Sequence, residues 1–136
     1  RLIGYDDRGL NASDFRDDRG EVGPGHSVTA LYAVRLKPDA TGRVAEARVR
    51  WLDPTTREAS EQAADVTVED LARGFAAATP RLRLDYAAAY FAESLRDSAY
   101  GREVRLADLA GIAETIGDDS EAADLASLIR TADRLR

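Results

Sequence analysis

Near Thr67 the spacing of apolar residues changes, and this change constrains the fold more than any other feature of the chain. Upstream, apolar residues recur every second position. Val28, Ala30, Tyr32, Val34 and Leu36 share one face of His26–Leu36, and Ala45, Ala47, Val49 and Trp51 share one face of Val44–Leu52. A period of two places alternate side chains on one face of a β-strand. Downstream the spacing is three and four, as on an amphipathic helix. Strands followed by helices predict an α+β fold rather than alternating α/β.

Turn residues place the boundaries. Lys37-Pro38-Asp39-Ala40-Thr41-Gly42 separates the two alternating runs. Two such runs around a short loop predict an antiparallel hairpin of residues 26–36 with residues 44–52. Leu2–Tyr5 is a short N-terminal strand candidate. Asp53-Pro54-Thr55-Thr56 ends the second run. Glu58–Val66 is ambiguous and is compatible with a further edge strand. The helices after Thr67 are expected to cover the more apolar Val28/Tyr32/Val34 face of the sheet, because antiparallel sheets commonly keep only one face wet.

Three to four packed helices are expected next. Thr67 and Asp70 have the spacing of a capping box, with Val68, Leu71, Ala72, Phe75 and Ala78 behind them. Thr79-Pro80 stops that helix and starts another, since Pro suits a first turn. Leu84, Ala88, Phe91 and Leu95 form its stripe, widened by Tyr86 and Tyr90, with Phe91 and Leu95 expected in the core. Ser98–Arg105 reads as a loop around Gly101. Leu106, Leu109, Ala110, Ala113 and Ile116 form the next stripe, stopped by Gly117. Asp118, Asp119 and Ser120 supply an N-cap. Ala122, Leu125, Leu128, Ile129, Ala132 and Leu135 make the last stripe.

Composition narrows the function. The 136 residues suit a single domain, 1–136. Net charge is −6, which disfavours nucleic acid and anionic lipid as partners. No cysteine is present, so thiol catalysis and thiolate metal sites are excluded. The chain contains no methionine, even at position 1, and reads as a fragment of a longer protein. No apolar run is long enough for membrane insertion.

Candidate chemistry is sparse. His26 is the single histidine, and Ser27 follows it. Adjacent strand residues point to opposite faces, so the two do not form a catalytic pair. Gly20-Glu21-Val22-Gly23-Pro24-Gly25 lacks the Lys-Ser/Thr of a phosphate loop and precedes a strand. It reads as a turn with positive-φ glycines. The acidic stretch Asp6–Glu21 offers oxygen ligands without the EF-hand order, and solvated loop carboxylates are the better reading. No catalytic, cofactor-binding or metal-ligating residue is therefore assigned, no cofactor is implied, and the chain is expected not to be an enzyme.

Several segments together carry a resemblance. They are Arg1-Leu2-Ile3-Gly4-Tyr5, then Asp14-Phe15-Arg16-Asp17-Asp18, then the run from Gly20 to Tyr32, and finally Tyr86–Leu95 with Arg96-Asp97-Ser98-Ala99-Tyr100. In this order they resemble the region after the von Willebrand factor type A domain in a family of bacterial envelope proteins, a C-terminal domain of unknown function. Asp6-Asp7 stands where that family tends to have Glu-Asn, and Ala33 where it tends to have Glu. The Asp-x-Ser-x-Ser signature of the type A metal site is absent, so metal-dependent adhesion is not carried over.

The resemblance implies a non-catalytic accessory, protein-interaction domain in the cell envelope, with a type A domain upstream in the same chain. Its partners would be that domain and other envelope proteins; oligomeric state stays open. Two alternatives are a small-ligand-binding or hydrolytic domain with a cleft between sheet and helices, and a calcium-stabilised adhesion module using the acidic loop 6–21. An apolar patch or open strand edge is expected near Leu2, Ile3 and Tyr5.

Overall fold

The computed structural model describes residues 1–4, 25–71 and 74–136. The acidic stretch 6–21, Tyr5, and the glycine-rich turn up to Pro24 lie outside the described residues. The fold is α+β: the described residues form a two-stranded antiparallel sheet and four helices. Contacts group into two compact units, residues Arg35–Ala78 and residues Arg1–Val34 with Thr79–Arg136.

The first of these holds the sheet. Strand β1 (Arg43–Leu52) pairs antiparallel with β2 (Ala59–Thr67), Val49 opposite Gln62 and Trp51 opposite Ser60. Asp53 closes the connecting turn: its Oδ1 accepts the N–H groups of Thr55 and Thr56, each at 2.8 Å. Those amides hold its carboxyl below the ordinary carboxylate range.

The predicted hairpin therefore needs correction. Its second strand forms, but its partner is Ala59–Thr67 and not residues 26–36. Charge explains the choice. One face of β1 carries Arg48 and Arg50, and Arg43 lies at its start. β2 answers with Glu61 and Asp65: Arg43 reaches Asp65 at 3.1 Å, Arg48 reaches Glu61 at 3.1 Å, and Arg50 also binds Glu61. Residues 26–36 contain no carboxylate. Opposite charges across a strand pair stabilise it and like charges destabilise it. The opposite face, Ala45, Ala47, Val49 and Trp51, is the one expected from the alternation, with Val49 and Trp51 exposed.

The capping box forms as expected. The Thr67 N–H donates to Asp70 Oδ2 at 2.8 Å, and the Asp70 N–H donates to Thr67 Oγ1 at 3.4 Å. The helix behind it is shorter than its apolar spacing predicts. α1 covers Val68–Leu71, and Phe75–Ala77 is a separate 3-10 turn. Gly74 between them has φ +70°, which no right-handed helix accommodates; Ala72 lies outside the described residues.

The other unit holds the core. α2 (Pro80–Leu95) is capped by Thr79, whose Oγ1 accepts the Leu82 N–H at 3.3 Å, with Pro80 in the first turn. α3 (Leu106–Glu114) is followed by Gly117 at φ +83°. α4 (Ser120–Arg134) starts at Asp119, whose carboxylate accepts the N–H groups of Glu121 and Ala122.

Phe91, Leu106, Leu109, Ala110 and Ile129 make one buried cluster, and Leu84, Ala113, Ala122 and Ala126 a second. Leu125 packs against both. Four residues of the helical stripes in this unit fall outside the core. Ala88, Leu95, Leu128 and Leu135 are exposed; Leu95 sits in the last turn of α2, where the chain turns away.

The N-terminal segment joins this unit by a short antiparallel pairing. Leu2 bridges Tyr32, the Ile3 N–H donates to the Leu31 carbonyl at 2.8 Å, and Arg1 and Ala33 exchange bonds. Ile3 is buried and Leu2 half-buried, so these two residues form no exposed apolar patch; Tyr5, the third residue of the expected patch or open strand edge, lies outside the described residues. The Val28/Tyr32/Val34 face, expected to be covered, is exposed: 71%, 62% and 60%.

Candidate interaction site at the end of the second helix

The last turn of α2 ends in a Schellman motif built without glycine. The Asp97 N–H donates to the Ser94 carbonyl and the Ser98 N–H to the Glu93 carbonyl, both at 3.1 Å. This pattern requires a left-handed residue after the cap. Asp97 fills that position at φ +53°, and Asp tolerates it better than most residues.

The turn brings Ser98 back onto Glu93, which is 6% exposed. Ser98 Oγ donates to Glu93 Oε2 at 2.7 Å and accepts the Gly101 N–H at 2.9 Å. Gly101 is buried here, and a Cβ on it would overlap the Glu93 carbonyl. Two cations balance the carboxylate: Arg96 Nη1 at 3.4 Å and Arg1 Nη1 at 3.8 Å. A buried carboxylate needs such pairing and hydrogen bonding to remain charged at tolerable cost.

The same two cations reach outward. Arg96 also donates to the Gly4 carbonyl. Arg1 lies over the Tyr100 ring, 3.3 Å from its centroid, in cation–π contact. Arg136 binds the adjacent residue: its Nη1 donates to Ser94 Oγ at 3.0 Å and its Nη2 to the Ser94 carbonyl. Glu93 and Ser94 thus tie together residues 1–4, the end of α2, the 98–101 turn and Arg136.

The donors and acceptors of this cluster bind other parts of the chain. Ser98 Oγ is engaged on both sides, and its acidic partner is a carboxylate already facing two arginines. His26 and Ser27, paired in the sequence, are both exposed. Gly25 has φ +79°, as its reading as a turn glycine requires. Among the described residues no three His, Asp or Glu side chains are grouped to hold a metal ion.

An open groove of about 400 Å³ runs between α3 and α4, lined by Ala113, Glu114, Gly117, Ala126 and Arg130 among others. Its two charged residues bind each other, Arg130 Nε and Nη2 reaching Glu114 at 2.5 and 2.7 Å. Those bonds hold the Glu114 carboxyl below its ordinary range.

Sequence reasoning did not single out the Glu93 cluster. The 96–100 segment entered only through the resemblance, and Gly101 only as the centre of a loop. The available signal was a Glu inside an apolar helical run, followed by Ser at five residues and Gly at eight.

The described part of the chain is an α+β structure whose N-terminal segment is clasped to a helix end. Residues 1–45 match the family model described as "Uncharacterized protein YfbK, C-terminal". That region contains the clasped segment and its strand partner. No curated protein and no solved structure matches the chain.

Proposed function

We propose that this chain is a non-catalytic accessory domain that joins and orients other protein, attached in its parent to a von Willebrand factor type A domain in the cell envelope. The observation that carries the reading is the Glu93 clasp. Its buried charge is used to hold residues 1–4 against the helices, and those residues open the region matching a C-terminal family model. A segment fixed in this way transmits the orientation of whatever is joined to it. Among the described residues no helix is long and apolar enough to cross a membrane; the envelope location is inferred from the resemblance alone.

The test is a titration of the isotope-labelled chain with a purified type A domain from a parent that carries both. Chemical-shift changes at Arg1–Gly4 and Arg96–Tyr100, lost in an Arg96→Ala variant, are expected. Absence of binding, or turnover of generic ester, phosphate or peptide substrates that disappears in Ser98→Ala, overturns the reading. Fractionation of cells producing the parent checks its location.

A further inference from the structure

The clasp has the parts of a peptide-binding groove, and the chain's own residues 1–4 occupy it. Extended peptides are recognised by adding to a strand edge through backbone bonds, while side-chain contacts give specificity. Both are present. The Arg1 nitrogen donates to the Ala33 carbonyl at 2.7 Å, the Ala33 N–H to the Arg1 carbonyl at 2.9 Å, and the Ile3 N–H to the Leu31 carbonyl at 2.8 Å.

Three of these positions are read individually. The Arg1 guanidinium lies over the Tyr100 ring and pairs with the Glu93 carboxylate. A planar guanidinium serves both contacts at once, which an ammonium does less well. Ile3 is 8% exposed, an apolar side chain taken out of water. Gly4 has φ +96°, a backbone conformation that favours glycine, and its carbonyl accepts a bond from Arg96. Leu2 is half-buried opposite Tyr32, so the second position is the least restricted.

The segment is an addition to the helices and not part of their core. Both buried clusters, with the half-buried residues packed on them, are drawn from the chain between Leu84 and Ala132. Among the described residues, the polar and cation–π contacts of residues 1–4 end at Leu31, Ala33, Glu93, Arg96 and Tyr100. None of those five belongs to either cluster.

We propose that this groove binds extended peptides of the pattern arginine, any residue, branched apolar residue, glycine, and that residues 1–4 fill it as a releasable strap. The inference rests on the same clasp as the proposed function, but it needs no type A domain. A ligand joined to its own site competes at high effective concentration. A free peptide therefore enters when the strap is weakened.

The test uses the full 136-residue chain, isotope-labelled and carrying Arg1→Ala with Gly4→Ala. These changes weaken the strap and leave the buried clusters intact. An amidated synthetic peptide of residues 1–4 is titrated in. The amide signals of Leu31, Ala33 and Tyr100 move back to their wild-type positions and saturate. Peptides carrying Arg1→Ala or Gly4→Ala need at least about tenfold higher concentration. Unlabelled wild-type chain in place of the peptide leaves the signals unmoved, because its segment stays in its own groove; movement there still supports the groove and assigns the source to a second copy. Circular dichroism follows the helices, and Arg1→Lys replaces the double variant if that one unfolds. Three results overturn the inference: a folded variant that takes up no peptide; equal uptake of the wild-type and Arg1→Ala peptides; or unfolding of both variants, which would make the segment part of the core. Each can occur whether or not a type A domain binds, so this inference and the proposed function fail separately.

Discussion

Gly101 sits against the carbonyl of Glu93 so closely that a single added carbon would overlap it. The contact lies eight residues along the chain, across the turn that closes α2. Glycine is needed at 101 for close approach rather than for an unusual backbone angle.

Gly101→Ala is expected to destabilise the chain by about 1–3 kcal/mol, the usual cost of overpacking. The colliding atoms are backbone and cannot rotate aside. Gly111, inside α3, has open space where a Cβ would stand. Gly111→Ala should stabilise by about 0.5–1 kcal/mol, since glycine weakens a helix interior. Urea denaturation of the two variants checks the opposite signs.

Phe91→Ala is expected to cost about 3–5 kcal/mol, as for other buried aromatic residues. Phe91 lies in the cluster with Leu109 and Ile129. Leu95→Ala should leave the denaturation midpoint almost unchanged, because Leu95 is 59% exposed. A comparable loss in both variants would place Leu95 back in the core.

Glu93→Ala and Ser98→Ala should each cost about 1–3 kcal/mol, the price of leaving a buried polar partner unsatisfied. Their effects should not add, because each removes the same 2.7 Å bond. A double-mutant cycle measured by thermal unfolding checks this coupling.

Acid should weaken the chain, and part of the weakening traces to Glu114. Its carboxyl is held below the ordinary value of 4.5 by hydrogen bonds from Arg130. A depressed carboxyl adds stability that is complete above its unfolded value and is lost as pH falls through its folded one. The midpoint of the wild type should therefore fall as pH drops below about 4.5, and Glu114→Gln should show a shallower fall. Added salt should reduce the difference, since the pair is exposed.

The α+β order and the helix boundaries were readable because they depend on local chemistry. Thr79-Pro80, Asp119 and Gly117 act within one turn of their own positions, and each does in the structure what its residue type predicts. The partner of β1 was not readable from alternation, which sets the faces of a strand and not its neighbour. Arg48, Arg50 and Glu61 hold that information as charge, across a turn that Asp53 closes. The Glu93 cluster depends on contacts of Arg1 and Ser98 with Glu93 and of Arg136 with Ser94, and no periodic pattern records distances of that length.

Arg1 and Arg136 attach to neighbouring residues of one helix, Glu93 and Ser94. A pull applied between residues 1 and 136 would pass through those two side-chain contacts and bypass α3 and α4 until the contacts broke. The helical core would then be mechanically shielded, and the clasp would act as a fuse that opens first under load.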